Sequence, residues 1–485
     1  VFQFDFLNDE FFDKYRIIKS KKYSDKIITD DGTHEISLDK SKITIDNKTY
    51  ELELVEKSKL PQSLQSILKN PEKRKKLVVY INPPYADGDN VRGTGRRGVQ
   101  ISTIHSKYEK EMGWAKREMF IQFLTRIYIE IPNSIIANFS KIKNLQAPKS
   151  SDFRRFFQTK LEKLFLVPAN TFDNVNGKFP IGFFVWNTQK KEIFKGIKAD
   201  VYDSDGKYLK HKNIIAYEDF LYISDWLEQH HKSLKEKFKN KEIERLPIGC
   251  LSSVGNDFQN QRMVFIDKPT PPHRGGSRHT SIYKENIFYI SIYFAVRHCI
   301  LATWLNDRDQ FLYPKDTWQT DKEFHYNCLI FTLFHGQNYL SSQYKDTNHW
   351  IPFTEEEINA QERFESNFMS DFIAGKIKIT NGNGDLFNKP KVENGTKCKF
   401  SPQAQAVFDA GKELWKYYHG QKDINVNASL YDIREYFQGR NEKGKMNNKS
   451  TDEKYNELMR VLREKLKTLA EKIAEKVYEH GFLMK

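Results

Sequence analysis

Asn82, Pro83, Pro84 and Tyr85 follow the apolar run 77–81 without a break, and their types and spacing could do chemistry. Proline fixes φ, removes a backbone donor and restricts the residue before it, so this corner is stiff. Two acceptors are thereby held close together: the Asn82 side-chain oxygen and the Pro83 backbone oxygen. An exocyclic amino group on a base has two hydrogens to donate. Accepting both shifts electron density onto its nitrogen and turns the lone pair toward an electrophile. Tyr85 adds a flat face on which a base can stack. A corner just past the carboxyl end of a strand is also where open α/β sheets take ligands. The competing reading of the tetrapeptide is a rigid proline-rich turn with no ligand.

The elements that must position this corner read as α/β over residues 1 to about 200. Strands are predicted at 1–7, 77–81, 133–139, 163–167 and 181–186, with amphipathic helices at 116–130 and 152–161. Residues 41–54 alternate around Asp46-Asn47 and read as an inserted hairpin. From about 205 to 400 the periodicity is poor and loop signals recur, which suggests a separate irregular α+β domain. Residues 401–485 return to helix, with a capping-box pattern at Ser450 and Glu453. Beyond it Leu458, Leu462, Leu466, Leu469, Ile473 and Val477 form one apolar face, the usual mark of a helix packed on its own protein.

The chain of 485 residues carries a net charge of +14 and 14% aromatic residues, a balance that favours a polyanionic partner such as nucleic acid. Its four cysteines show no Cys-x-x-Cys spacing, which argues against a zinc ribbon or a disulfide framework and for a reducing, cytoplasmic setting. No bilayer span and no signal peptide is read. Asn138-Phe139-Ser140 then has no glycosylation meaning. No acidic–lysine cluster suggests a nuclease metal, and no metal ligands are assigned. Val1 opens directly on an apparent buried strand, as in the later part of a longer protein.

The Asn-Pro-Pro-Tyr motif after an apolar strand resembles the catalytic motif of S-adenosylmethionine-dependent amino-methyltransferases, chiefly DNA adenine-N6 enzymes. Phe4-Asp5-Phe6-Leu7 resembles the element of that family in which an acid and the next aromatic contact the cofactor adenine, which would give those roles to Asp5 and Phe6. Residues 133–139 followed by 151–157 resemble the next strand and helix. Residues 172–187 resemble the late hairpin that supplies a second aromatic to the extruded base, with Phe179 at the matching position; ordinary core packing is the plain alternative for that ring. Residues 401–419 and 428–439 resemble segments at the end of large bacterial N6-DNA methylases. The order of motifs is similar to type I modification subunits and fused restriction–modification enzymes.

This resemblance implies a Rossmann-like methyltransferase sheet in residues 1–204, a target-recognition domain in 205–400 and a helical region in 401–485. It implies S-adenosylmethionine as cofactor, double-stranded DNA as partner and a flipped adenine as target, stacked by Tyr85 and Phe179. Arg274 and Arg278, with His273 and His279, become candidate groove or phosphate contacts, the alternative being a solvated basic loop. One departure matters. The family's glycine-rich cofactor loop should precede Asp5, where only four residues stand. Gly93-Thr94-Gly95-Arg96-Arg97-Gly98 matches that loop formally, but it follows a polar stretch rather than a strand. It reads instead as a loop whose Arg92, Arg96 and Arg97 could meet phosphates. An upstream segment or a partner subunit is therefore expected to carry the cofactor loop and any nuclease. The second reading is a catalytically silent DNA-recognition fragment of a longer enzyme. The third is an RNA or protein methyltransferase.

Overall fold

The computed structural model describes residues 3–23, 26–84, 101–172, 177, 179–239, 246–272, 276–342, 347–377 and 397–484. Its contacts divide the chain into one unit of Val1–Glu218 with Thr303–Arg308 and another of Asp219–Ala302 with Asp309–Lys485.

The first unit begins with β1 (Lys14–Ile18), β2 (Ile27–Thr29), β3 (Glu35–Ile36), β4 (Lys42–Ile45) and β5 (Lys48–Glu56). These form an antiparallel sheet in the order β2-β1-β5-β4-β3. The hairpin expected at 41–54 is the β4–β5 pair. Asp46 (φ 49°) and Asn47 (φ 60°) are both left-handed, the two-residue turn whose twist suits a hairpin. Next come α1 (Gln62–Lys69), α2 (Pro71–Arg74), β6 (Val78–Ile81), α3 (Thr103–Lys107), α4 (Glu109–Met112), α5 (Met119–Glu130), β7 (Ile135–Lys141), α6 (Lys143–Gln146), α7 (Ser151–Phe156), β8 (Lys160–Pro168), β9 (Pro180–Asn187), β10 (Gly196–Tyr202) and β11 (Tyr208–Ile215). The six strands from β6 onward build one sheet in the order β11-β10-β8-β9-β7-β6. The pairs β6–β7 and β8–β10 are parallel, while β9 runs antiparallel between β7 and β8.

Strand alternation gives this sheet two unlike faces. Ile136, Phe184, Trp186, Leu164, Leu166, Ala199, Val201 and Ile214 are buried with Phe120, Ile121, Leu124 and Ile127 of α5. Tyr80, Phe139, Phe183, Phe165 and Tyr202 lie on the opposite face, where Tyr80 is 64% exposed and the other four are half-buried.

Two segments depart from the elements their sequence predicts. Residues 1–7 were expected to form a strand, but residues 6–8 form a turn. The Asp5 carboxylate accepts from Leu7 N (3.0 Å) and Asn8 Nδ2 (2.8 Å), and Asp9 accepts from Asp5 N (2.8 Å). Short polar side chains bonding to nearby backbone offer the chain an alternative to a ladder. The helix expected over 152–161 ends at Phe156, because the chain from Lys160 joins the sheet against β9.

The second unit holds α8 (Ile223–Lys239), β12 (Gly249–Ser253), β13 (Val264–Asp267), β14 (Arg278–Ile282), α9 (Ile287–His298), α10 (Lys322–Phe334), α11 (Phe368–Ile373), α12 (Pro402–His419), α13 (Leu430–Gln438) and α14 (Glu453–Glu479). Its three strands pair in the order β13-β12-β14. α9 and α10 are buried on nearly every side, and α12 and α14 complete the same core. Gly411 of α12 allows the Phe334 ring to lie against the helix, since a Cβ there would stand 2.1 Å from a ring carbon. The expected apolar face of α14 is buried at Leu462, Leu466, Leu469, Ile473 and Val477. Its cap is Asp452, which accepts from Tyr455 N at 2.8 Å, and not Ser450. Ser450 instead donates to Phe437 O.

The four cysteines are free, three of them buried. Among the described residues no helix is long and apolar enough to cross a membrane, and no group of three His, Cys, Asp or Glu could hold a metal.

His298 and His335, both half-buried, stack against Phe294 of this core with ring centroids 4.5 Å apart. Burial, with a smaller push from Arg434, lowers His335 from 6.5 to about 4. Burial, then His335, holds His298 well below its usual range. A histidine kept neutral in the folded state stabilises fully above the unfolded pKa and loses that contribution as pH falls toward the folded one. The second unit should therefore lose stability between about pH 6.5 and pH 4, by about 3 kcal/mol for His335 alone. Urea midpoints of the chain at pH 7 and pH 4.5, compared with those of His335→Phe, check this. The variant's midpoint should change less with pH than the parent's.

Candidate functional site

The site is built at the carboxyl ends of the parallel strands. β6 ends at Ile81, and Asn82, Pro83 and Pro84 follow at once, with Asn82 and Pro84 exposed and Pro83 buried. β6 lies parallel to β7, with Ile81 opposite Asn138. The corner thus stands level with Phe139, which pairs with Phe183 on β9. Asn82 is the next even position after Val78 and Tyr80, so strand alternation carries it toward the aromatic face.

On that face the rings touch in series. Tyr80 and Phe183 lie 6.4 Å apart, Phe183 and Phe139 4.8 Å, Phe183 and Phe165 5.1 Å, and Phe165 and Tyr202 5.8 Å. Phe179 precedes β9 and packs with Val167, Ala169 and Ile181 beside Phe172. Its carbonyl accepts from Ala169 N at 3.0 Å. Gly177 leaves it room, for a Cβ there would sit 2.2 Å from the Phe179 ring. Phe179 and Asn82 therefore occupy the same end of the sheet. Four residue levels separate them along the strands, roughly 13 Å at strand rise. The aromatics level with Asn82 are Phe139, Phe183 and Phe165, none of them among the expected site residues. Their signal is present in the sequence, since all three alternate with core positions in predicted strands.

On the core face Asn138 and Ser140 are fully buried. Asn138 donates to Ser140 Oγ (3.1 Å) and accepts from Trp186 Nε1 (3.2 Å). This pins β7 to β9 directly beneath the corner. At the end of β7, Lys141 and Lys143 both pair with the buried Glu118. Burial alone would raise the Glu118 pKa, but the two lysines outweigh it and hold the carboxyl below its usual value.

Asp5 and Phe6 lie at the start of the first unit, in and beside the turn at residues 6–8. The Phe6 ring stacks on Phe123 at 5.0 Å and 4°, and its carbonyl accepts from Arg126. Arg126, 1% exposed, also donates to Asp9 O (2.7 Å) and pairs with Glu130 (2.8 Å), and its guanidinium lies 4.0 Å from the Phe11 ring. The Asp5 carboxylate is engaged in its own turn while the residue stays exposed, and Phe123 covers one face of Phe6. Arg126, which carries no local sequence signal for this role, fixes them.

Tyr85, Arg92, Arg96, Arg97, His273 and Arg274 lie outside the described residues. Arg278 is exposed at the start of β14, opposite Ser253. Its neighbour His279 contacts Ser252 Oγ and Ser277 Oγ, each at 3.1 Å, and Ser252 donates to Asp267 at 2.7 Å. His279 is thereby part of the sheet's own polar network.

A mixed sheet with a proline-locked asparagine at its carboxyl end is the class of arrangement found. No protein-family model matches the chain, and no curated protein does. Among solved structures, the chain is similar to an ATP-dependent Type ISP restriction-modification enzyme, LlaBIII, bound to DNA, at 9% identity and a TM-score of 0.31. That likeness covers 88% of this chain and 40% of the other, so the chain spans less than half that enzyme's length. At this TM-score it carries no argument about activity.

Proposed function

We propose that the protein acts on DNA as an adenine-N6 methyltransferase of restriction–modification type, with S-adenosylmethionine as methyl donor. The observation that carries this reading is the placement of Asn82-Pro83-Pro84 directly after β6, at the carboxyl end of a parallel pair and beside a half-exposed aromatic face. We read the mixed sheet, with β9 antiparallel between β7 and β8, as Rossmann-like, which supports this proposal. The restriction–modification setting comes from the order of motifs, and DNA from that order together with the charge of +14.

The chain supplies the acceptor side of such a reaction. Asn82 Oδ1 and the Pro83 carbonyl would accept the two amino hydrogens and aim the nitrogen lone pair. Pro84 stiffens the corner so that both acceptors are set before the base arrives. Tyr85 would supply the stacking face after the base is flipped, at a cost of a few kcal/mol in lost stacking and pairing. Arg278, and Arg92, Arg96, Arg97 and Arg274 from outside the described residues, are the proposed phosphate or groove contacts. Asp5 and Phe6 are the proposed contacts to the donor's adenine, as the resemblance implies.

The test is transfer of tritiated methyl from S-adenosylmethionine to unmethylated genomic DNA, with the product digested to nucleosides. Label in N6-methyl-2′-deoxyadenosine supports the reading. Label in N4-methylcytosine or in protein refutes it. Sequence-selective duplex binding without any transfer favours the second reading, a recognition part that works only with a donor-binding partner.

A further inference from the structure

We propose that residues 439–449, the hairpin joining α13 to α14, enter the major groove of duplex DNA and hold its phosphates with Lys443, Lys445 and Lys449. This rests on the DNA reading of the function and gives that partner a contact surface in the second unit. The hairpin is held in shape by its own bonds. Asn441 N donates to Lys445 O (2.9 Å) and Gly444 N to Asn441 O (2.8 Å), with Gly444 at φ 70°. That is a tight turn closed by a left-handed glycine, a common hairpin form. The Asn441 side-chain oxygen accepts from Lys443 N (3.1 Å) and Lys445 N (3.0 Å). At the base, the buried Gln438 donates to Asn447 O (2.8 Å), and Asn447 donates back to Gln438 O (2.9 Å). Arg440 ties the turn to α13, donating to Gly444 O (2.8 Å), to Tyr431 Oη (2.9 Å) and to the Glu435 carboxylate.

Fixing an exposed loop costs roughly 1–2 kcal/mol of backbone entropy per residue. A loop that only spans two helices gains nothing from that order. One that presents side chains to a rigid partner does, because the ordering is complete before binding. The side chains that take no part in this framework are cationic. Lys443, Lys445 and Lys449 are exposed, and none has a carboxylate partner among the described residues. Elsewhere in this unit Lys412, Lys416, Lys472 and Lys476 each pair with an acid. Glu442 is the one acid between Arg440 and Ser450, and it stands in the turn itself.

This chemistry selects the occupant. Unpaired ammonium groups on a fixed frame suit a polyanion, in keeping with the net charge of +14. A two-stranded ribbon fits the major groove of B-form DNA. There the turn meets base edges, where the Glu442 carboxylate accepts from a cytosine amino group, and the lysines beside it meet the flanking phosphates. Duplex RNA does not suit the hairpin, because its major groove is too deep and narrow for side chains to read.

The test is fluorescence anisotropy of the full chain with unmethylated DNA duplexes of mixed sequence, over a salt series. Lys443→Ala/Lys445→Ala/Lys449→Ala should weaken binding at least tenfold at about 0.15 M salt. It should also make the slope of log K against log salt shallower by about 2 to 3, since each phosphate contact contributes about 0.9. Lys48→Ala/Lys57→Ala/Lys73→Ala removes the same charge from exposed positions of the first unit and should change that slope by less than about 1. Circular dichroism confirms that both variants fold. Duplex RNA of the same sequence should bind the parent at least tenfold more weakly than DNA. The inference is overturned if the hairpin variant keeps the parent's affinity and slope, if the control variant loses as much, or if duplex RNA binds as well as DNA. A parent that binds no duplex overturns it together with the DNA reading. Duplex binding that the hairpin variant loses, in a chain that transfers no methyl group, supports the inference and removes only the methyltransferase reading.

Discussion

Asn82→Ala is expected to reduce methyl transfer to DNA by about a hundred- to a thousandfold, the usual result of deleting one fixed hydrogen-bond partner aimed at a reacting group. Duplex binding should stay within about threefold, because phosphate contacts dominate affinity and Asn82 makes none in this reading. The loss should appear in kcat rather than KM if the contact tightens as the amino nitrogen becomes nucleophilic. Asn82→Asp keeps an acceptor in nearly the same place and should retain more activity than alanine. Initial rates with tritiated donor, beside filter binding of the same duplex, separate the two effects. Equal activity of Asn82→Ala and the parent would remove the corner from the chemistry and leave it a rigid turn.

Arg126→Ala is expected to have the largest structural effect among single substitutions in the first unit. The guanidinium is 1% exposed and joins the turn at Phe6 and Asp9 to α5. Removing it leaves the Glu130 carboxylate and two backbone carbonyls short of a donor. Breaking a buried pair from one side costs about 3–5 kcal/mol. Glu130 keeps Lys107 (2.8 Å) and Tyr108 (2.7 Å), which places the expected loss near the lower end. For a unit of this size that is a fall in Tm of about 10 °C. Differential scanning calorimetry reads it, and cleavage by a non-specific protease within residues 3–11 should speed up in parallel. A Tm shift under about 2 °C would falsify the anchoring role.

The sequence by itself determined the elements whose cues are local. Pro83 and Pro84 can only end β6, and the strand before them follows from four consecutive β-branched or aromatic residues. Asp46-Asn47 dictates its hairpin because these residues tolerate the left-handed backbone such a turn demands. The α14 face is legible because its apolar spacing repeats over more than six turns. Tertiary structure alone decided what depends on partners distant in sequence. Phe4, Phe6 and Leu7 look like a strand, but Arg126, some 120 residues away, captures the Phe6 carbonyl, and Asp5 and Asp9 close a local turn. The insertion of β9 between β7 and β8 is invisible in any single strand. It sets Phe139 and Phe183, rather than Phe179, level with Asn82. Local propensity fixes where a strand stops. Only the order in which strands pair fixes which side chains stand beside it, since pairing brings together residues that share no sequence neighbourhood.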